Sequence, residues 1–275
     1  MSRLPRFFIS PEQASGPRIT VSGEDVRHIA AVLRMKTGDS LLLCDGEGAE
    51  YTVRITQVGK TEIRTEIVSR VTQEITSPRV TLGQGLPKSD KMDWIVQKAT
   101  ELGASSIVPL ITERTIVKIR DEEKRVSRWQ KIAREAAMQS NRSDIPAIGH
   151  IVSFKDFLRT EPALECPHRG NSELGTLLLL PWEEATIPIK NVLREKSGVK
   201  SIIILIGPEG GFSKDEADMA MDRGFHLVSL GRNILRTETA AVAALSMIGY
   251  ESFAQASDPS DAQMKLPIRT RRSHL

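Results

Sequence analysis

Residues 201–212 read SIIILIGPEGGF, an apolar run that passes directly into a glycine-rich turn. A short apolar run bounded by turn residues is typical of a strand covered on both faces. Further strand candidates lie at 80–84, Ser106–Ile111, 176–180 and 227–230. Helix-like segments separate the runs, and repeated strand–helix units predict the α/β class, a mostly parallel sheet with helices on both faces.

Helix start and stop signals mark the segments between these strands. Ser89 or Asp90 can cap a helix that ends just before Gly103, and Ser-Lys-Asp-Glu at 213–216 has the sequence of a capping box. A last helix is predicted over residues 237–252. It is apolar around much of its circumference, which predicts cover from a second copy of the chain, with burial inside one chain as the alternative.

The first part of the chain, residues 1–72, follows a different pattern. A run of three leucines at 41–43 ends at a turn signal, and apolar residues alternate along 50–58 and 60–68. This period of two predicts a small β-barrel or sandwich. One helix around residues 24–33 is expected to interrupt it.

Changes of pattern along the chain predict its division into units. Residues 73–79 are polar and contain a proline, as expected of a linker. Residues 160–175 resemble a loose surface insertion. The predicted division is a front β-rich domain over 1–72, the linker over 73–79, a parallel-sheet domain over 80–256 and a basic, disordered tail over 257–275.

Three of the predicted strands end in unusual loops, at 181–185, 207–212 and 231–240. In open α/β sheets, ligands bind beyond the carboxyl ends of the strands. Glycines permit close backbone approach, and Ile234 and Leu235 could form the wall of an adenine pocket. Each loop alone could be an ordinary tight turn, but three together favour a small-molecule pocket. The dinucleotide and Walker motifs are absent, which argues against a Rossmann-type dehydrogenase.

Composition excludes several classes of protein. The formal net charge is only +3, so any nucleic acid would have to meet locally arranged cations. Cys44 and Cys166 are far apart and in no metal-ligand spacing, which predicts reduced thiols rather than a disulfide or zinc site. The N-terminus lacks the apolar segment of a signal peptide, and the longest apolar runs are too short to span a bilayer. We expect a cytoplasmic protein with no metal and no membrane partner.

Two motifs carry a resemblance to a known family. Ile206-Gly-Pro-Glu-Gly-Gly211 and Leu230-Gly-x-x-Ile-Leu-Arg-x-Glu-Thr-Ala240 resemble the cofactor-binding signature of SPOUT methyltransferases, and the second motif resembles the RsmE type in particular. Segments within 27–34, 88–103 and 113–142 extend the resemblance over nearly the whole chain.

There are two departures from this family pattern. Trp182 stands where the family loop often has a charged residue. The basic stretch 264–275 resembles an extension beyond the family core.

The resemblance implies a PUA-like β-barrel that binds RNA, a trefoil-knotted catalytic domain that binds S-adenosylmethionine in the knot, and a homodimer. It implies methylation of N3 of a uridine in 16S ribosomal RNA of the small subunit. A SPOUT ribose 2′-O-methyltransferase on ribosomal or transfer RNA and a non-catalytic RNA-binding assembly factor are the alternatives. The residues expected at the cofactor are Leu180, Pro181, Trp182, Ile206, Gly207, Pro208, Glu209, Gly210, Gly211, Leu230, Gly231, Ile234, Leu235, Arg236, Thr237, Thr239 and Ala240.

The implied chemistry requires that the N3 proton of uridine leave before or during methyl transfer. A general base, or a cation that stabilises the uridinate, can meet this need. Arg236 is the best candidate cation, and Glu209 and Glu238 are the nearest carboxylates. Glu238 could instead complement the dipole of the last helix. The sequence leaves the base unassigned.

A basic region offers a candidate RNA face. Between Arg114 and Arg142 there are nine Lys or Arg against four Asp or Glu. Such a surplus favours phosphate contacts, although the charges at 121–125 are more typical of a solvated helix face. The residues predicted to contact RNA are Arg114, Arg134, Gln139 and Arg142, with Arg27, His28 and Arg34 in the front domain. The basic tail could contribute further contacts.

Overall fold

The computed structural model describes residues 4–14, 16–72, 78–117, 119–159 and 175–256. Within these ranges the chain forms two sheets, one before and one after the predicted linker.

Several sequence predictions fall outside the described residues. These are the state of Cys166, the tail over 257–275, all but the last residue of the insertion at 160–175, and most of the linker at 73–79.

The first sheet has five strands in the order β1-β3-β4-β5-β2. Its strands pair antiparallel except for β1 and β3, which are parallel. The alternation seen in the sequence corresponds to one buried face of the sheet. The apolar side chains on that face form one cluster, which includes Leu41, Leu43, Val53, Ile55 and Ile63. The strands are β1 (Arg6–Phe8), β2 (Arg18–Ser22), β3 (Ser40–Cys44), β4 (Ala49–Val58) and β5 (Glu62–Thr72).

The helix predicted around 24–33 is present, but it is not one regular helix. An α-helical turn, α1 (Glu24–Arg27), continues into a π-helical segment at His28–Val32. A 3₁₀ turn at Pro11–Ala14 completes the helical segments of this unit.

The second sheet runs in the order β12-β10-β11-β6-β7-β8, and all of its pairings are parallel. A short strand, β9, also pairs with β7. The predicted runs become strands with bounds shifted by at most two residues at either end. The strands are β6 (Arg79–Gly85), β7 (Ser106–Ile111), β8 (Ala147–Ile148), β9 (Val152–Ser153), β10 (Thr176–Pro181), β11 (Ser201–Ile206) and β12 (His226–Val228).

Helices cover both faces of this sheet, as the alternation of buried residues on β11 shows. Ile202 and Ile204 belong to one buried cluster, while Ile203 and Leu205 belong to another. Because successive side chains of a strand point to opposite faces, the two clusters lie on opposite sides of the sheet. The helices are α2 (Lys91–Glu101), α3 (Glu122–Ser140), α4 (Phe154–Arg159), α5 (Ile189–Glu195), α6 (Lys214–Asp222) and α7 (Thr237–Ala256).

Two predicted helix caps have different outcomes. Ser213 and Glu216 form the complete capping box at the start of α6. Asp90 occupies the N-cap position of α2, but its side chain makes no capping hydrogen bond. The position of that helix start was therefore predictable, whereas the side-chain cap was not.

Candidate active site

A cavity of about 430 Å³ lies beyond the carboxyl ends of β10, β11 and β12. This is where ligands bind in open α/β sheets, and the volume falls in the range of small-molecule sites. The three loops singled out in the sequence meet here because their strands are neighbours in the sheet.

Most residues predicted at the cofactor line this cavity. Leu180 and Thr239 do not: Leu180 is buried in the cluster beneath the sheet, and Thr239 is exposed on α7. The predicted residues that line the cavity are Pro181, Trp182, Ile206, Gly207, Pro208, Glu209, Gly210, Gly211, Leu230, Gly231, Ile234, Leu235, Arg236, Thr237 and Ala240. The cavity is also lined by two residues outside the three predicted loops, Lys91 and Ser229, and by further members of those loops, Glu183, Phe212, Arg232 and Asn233.

Steric fit explains why the loop at 207–211 is rich in glycine. A Cβ atom on Gly207 would lie 2.9 Å from the backbone of Gly211, closer than real Cβ contacts. A Cβ atom on Gly85, at the end of β6, would lie 2.5 Å from Cδ of Pro208. Gly211 has φ +68° and donates its N–H to Pro208 O at 2.9 Å, which closes the turn. The loop therefore folds tightly back on itself and on β6.

An ion cluster holds the same loop from the side of α2. Lys91 Nζ lies 2.9 Å from Oε1 of Glu209 and 3.4 Å from Oε2 of Glu238. The backbone N–H of Lys88 also donates to Glu209, at 3.1 Å to Oε1. One ammonium group thus bridges the glycine loop and the first turn of α7.

The ion cluster determines the protonation of its members. Burial alone would raise the pKa of Glu209, but hydrogen bonds from Lys91 and from backbone amides bring it below its ordinary value. The hydrogen bond to Glu209 raises the pKa of Lys91 above its ordinary value. A carboxylate held ionised in this way is a weak proton acceptor, so the geometry supports Glu209 as a structural anion more than as a general base.

Arg236 differs from these residues, because its side chain is exposed and lines the cavity. Within the described ranges its guanidinium forms no hydrogen bond or ion pair. It is a free cation beside the pocket, available to an anion that forms there.

Arg114 lies against the cofactor loop. Its Nη1 donates to the carbonyl oxygen of Gly210 at 2.6 Å, and a Cβ atom on Gly210 would lie 3.1 Å from the Arg114 side chain. Arg114, which the sequence predicts to contact RNA, is thus in direct contact with the cofactor loop. The neighbouring Glu113 N–H donates to the buried Glu216, which adds a second link between the β7 loop and the start of α6.

Two arginines predicted to contact RNA bind other protein groups, and the contacts of Arg134 lie at the junction of the two sheets. Arg142 is largely buried and donates to the carbonyl oxygens of Thr100 and Ala104, both at 2.8 Å. Arg134 donates to Phe8 O at 2.6 Å and pairs with Asp25 at 3.1 Å. The geometry supports these side chains as structural braces rather than as free phosphate ligands.

Cys44 is also buried at this junction. Arg6 donates to Glu50 at 2.7 Å and to the carbonyl oxygen of Arg142 at 2.9 Å, with Cys44 beside it. Burial raises the pKa of the Cys44 thiol to about 11. A buried thiol with a raised pKa is inert.

The front-domain candidates lie together on an exposed surface. Arg27, His28 and Arg34 are exposed, and they flank the exposed Val32 and Leu33 of the π-helical region. The edge of the His28 ring packs on Phe7 at 5.5 Å between centroids. The remaining candidate, Gln139, has an exposed side chain on α3.

Two other kinds of feature, metal sites and membrane-spanning helices, have no candidates among the described residues. These residues contain no group of three or more His, Cys, Asp or Glu side chains that could hold a metal ion. None of their helices combines the length and apolar character needed to cross a membrane.

Comparison with known proteins gives matches over both units. Residues 74–249 match the family described as RNA methyltransferase domain, and residues 21–68 match the RNA methyltransferase PUA domain. Ribosomal RNA small subunit methyltransferase E of Bacillus subtilis is 33% identical over 258 residues, which cover 90% of this chain and 97% of that protein. The protein of the same name from Synechocystis is 33% identical over 245 residues, covering 88% of this chain and 76% of that one.

A solved structure extends the likeness to three dimensions. It is ribosomal RNA small subunit methyltransferase E from Neisseria gonorrhoeae bound to S-adenosyl methionine, with a TM-score of 0.76 and 32% identity. The match covers 90% of this chain and 98% of that one.

Proposed function

We propose that this chain, which belongs to the ribosomal RNA small subunit methyltransferase E family, methylates N3 of a uridine in 16S ribosomal RNA. The chain is an S-adenosylmethionine-dependent methyltransferase with the predicted fold, a PUA-like domain before a SPOUT-type parallel-sheet domain. The observation that carries the proposal is the cavity at three neighbouring strand ends, with the exposed Arg236 at its edge.

The cavity fits the cofactor in size and in lining. Gly207, Gly210 and Gly211 all line the cavity and carry no side chains, so a ligand can approach their backbone closely. Ile234 and Leu235 supply apolar surface for an adenine. When bound, S-adenosylmethionine supplies a methyl group that is already activated for transfer, so the protein mainly has to hold and orient the reactants.

Arg236 is assigned to stabilising the uridinate anion that forms on the substrate. Uridine N3 is a poor nucleophile until its proton leaves, and the resulting uridinate is an anion. A free guanidinium at the cavity edge can stabilise that anion and so lower the barrier. Because Glu209 and Glu238 both face Lys91, we assign them to holding the site together.

The RNA is proposed to contact the exposed cations of the front domain, Arg27 and Arg34, together with His28 and Gln139. Phosphate contacts of this kind need cations that other protein groups do not already occupy. Arg134 serves indirectly, because its guanidinium links α3 to Phe8 and Asp25 of the front unit. Arg142 contributes through its carbonyl oxygen, which accepts a hydrogen bond from Arg6 of the front sheet.

We also propose that the protein is a homodimer and that it acts in the cytoplasm on the small ribosomal subunit. Ala241, Ala244 and Ile248 of α7 are buried within the chain, while Tyr250 is 73% exposed. An exposed aromatic residue on an apolar helix is suited to a subunit contact. Light scattering at micromolar concentration should give the mass of a dimer, and a monomeric mass would reject it.

Transfer of labelled methyl to RNA tests the function. The protein should methylate small-subunit RNA, offered either deproteinised or as intact subunits, and digestion to nucleosides should release N3-methyluridine. A 2′-O-methylated nucleoside would instead identify a ribose methyltransferase. Binding of S-adenosylmethionine without transfer to either RNA substrate would favour an assembly factor.

A further inference from the structure

Gln84 is a fully buried polar residue near the carboxyl end of a central strand. It lies on β6, paired with Ile206 of β11 on one side and with Pro109 of β7 on the other. It does not line the cavity, but it is next to Gly85, which packs directly under Pro208. Burial of an amide costs free energy unless its polar atoms find partners.

The amide of Gln84 begins a chain of hydrogen bonds that ends at the cofactor loop. Its Nε2 donates to Gly85 O and to Oγ1 of Thr237, each at 2.9 Å. The Thr237 hydroxyl in turn donates to the carbonyl oxygen of Gly207 at 2.5 Å. Both Gly207 and Thr237 line the cavity.

The direction of this chain is fixed by the groups in it. Gly85 O can only accept, and the single hydroxyl proton of Thr237 is used on the Gly207 carbonyl. Gln84 must therefore present its NH₂ group to both, since its oxygen would face two acceptors. Its Oε1 is left buried with no hydrogen-bond partner among the described residues.

A buried side-chain amide costs free energy when its NH₂ group is hydrogen-bonded but its oxygen is not. An unsatisfied buried acceptor typically costs about 1–3 kcal/mol, which an apolar side chain of the same size would avoid. Local rules of this kind are most often broken at functional sites. The compensating gain is the orientation of the Gly207 peptide, which faces the cavity.

We propose that Gln84 is a positioning residue of the cofactor site, which acts through Thr237 to fix the carbonyl of Gly207. The inference rests on the proposed function only in taking S-adenosylmethionine as the ligand of this cavity. In this proposal Gln84 lies beneath the site, and the cofactor contacts the Gly207 peptide that Gln84 holds in place through Thr237.

The test compares Gln84→Met and Thr237→Val by calorimetric titration with S-adenosylmethionine. Each should weaken cofactor affinity about tenfold, as expected for loss of one well-placed hydrogen bond in a dry site. The double variant should be about as weak as either single one, because both break the same chain. Thr237→Ser, which keeps the hydroxyl, should recover most of the affinity that Thr237→Val loses.

Gln130→Met is the matched control. Gln130 makes two hydrogen bonds to backbone groups near β8, so its loss should lower the melting temperature without changing cofactor affinity. Should Gln84→Met fail to fold, the contrast between Thr237→Val and Thr237→Ser still tests whether the hydroxyl through which Gln84 acts contributes to cofactor affinity, and equal affinities would overturn the proposal. An unchanged affinity in Thr237→Val or in a folded Gln84→Met, or losses that multiply in the double variant, would overturn the proposal. Failure of the unaltered protein to bind S-adenosylmethionine would overturn the proposed function instead.

Discussion

Two loops of the cofactor site are built in opposite ways. The loop at 207–211 is tied on every side, by Thr237 from below, by Lys91 from α2 and by Arg114 from the β7 loop. The loop at 231–236 lies open, and Ile234 at its tip is 86% exposed. Arg236, the proposed catalytic cation, belongs to this open loop.

The difference separates two tasks within one pocket. A platform for a cofactor gains from rigidity, because a preformed site does not lose ordering entropy when the ligand binds. A loop that admits a large RNA substrate and releases it must be able to move. The tied loop is therefore suited to hold a fixed backbone against the cofactor, whereas the open loop, which supplies Ile234 and Leu235 to the same pocket, is the part of the site with fewer contacts to hold it in place.

The largest expected effect comes from filling the tied loop. Gly207→Ala would place a Cβ atom 2.9 Å from the backbone of Gly211, so the turn must open. We expect S-adenosylmethionine binding to fall by about 100-fold or more, which corresponds to about 2.7 kcal/mol. Calorimetry measures it, with Gly249→Ala on α7 as the control, since a Cβ atom there meets nothing within 4 Å. Unchanged affinity in Gly207→Ala would show that the loop is not the rigid element.

Removing the free cation should affect chemistry more than binding. Arg236→Ala should slow single-turnover methyl transfer by about 10²–10³-fold, the usual effect of losing one anion-stabilising group in a dry site. RNA affinity should change little. The defect should shrink as pH rises, because uridine then ionises without help. A rate defect that stays the same at every pH would make Arg236 a cofactor-positioning residue.

The contrast between the loops also marks what the sequence could predict. Apolar runs such as 201–206 and the capping box at Ser213 are local signals, and they gave the strands and the start of α6 close to their true bounds. The three loop positions followed from where those strands end.

The partners that tie the loop could not be predicted in the same way. Lys91 meets Glu209 across 118 positions of sequence, and Arg142 is buried against carbonyl groups of Thr100 and Ala104. Charge alone suggested that Arg142 was a phosphate ligand, because a basic residue has the same appearance in a sequence whether water or backbone surrounds it. Gln84 was equally hard to single out, because its strand also contains Arg79 and Thr81 and its burial is not visible in the sequence.

A smaller effect is expected from loosening the tied loop at its side. Lys91→Met removes the ammonium that Glu209 and Glu238 share, and we expect cofactor affinity to fall about fivefold, the upper range for a partly exposed ion pair. The pKa of Glu209 should rise toward its ordinary value, so affinity in the variant should decline in mild acid where the unaltered protein still holds an ionised Glu209. Titrations from acid to neutral pH measure this, and parallel pH profiles would exclude the ion cluster from the site.

The sign of that pH effect follows from the direction of the Glu209 shift. Its pKa is lowered in the folded protein, so the stabilisation it provides is present above its ordinary value. The stabilisation is lost as pH falls through the folded pKa. Lys91 has the opposite shift, and its contribution is lost only as pH rises through a pKa above the ordinary value for lysine.

The smallest expected effect belongs to the tie on the outer side of the loop. Arg114→Ala removes a single exposed hydrogen bond to Gly210 O, and water can replace the lost donor. We expect S-adenosylmethionine affinity to fall about two- to threefold, with the melting temperature nearly unchanged. Arg120→Ala removes the same charge from an exposed position nearby and should leave cofactor affinity as it was.

Arg114 also distinguishes a tie from an RNA contact. If the side chain only holds Gly210, the salt dependence of RNA binding should be the same in Arg114→Ala as in the unaltered protein. If it also meets a phosphate, the slope of log affinity against log salt should fall by about one unit. A loss of slope with full cofactor affinity would remove Arg114 from the ties of the rigid loop and assign it to the RNA face. The contrast between the two loops would then rest on Thr237 and Lys91 alone.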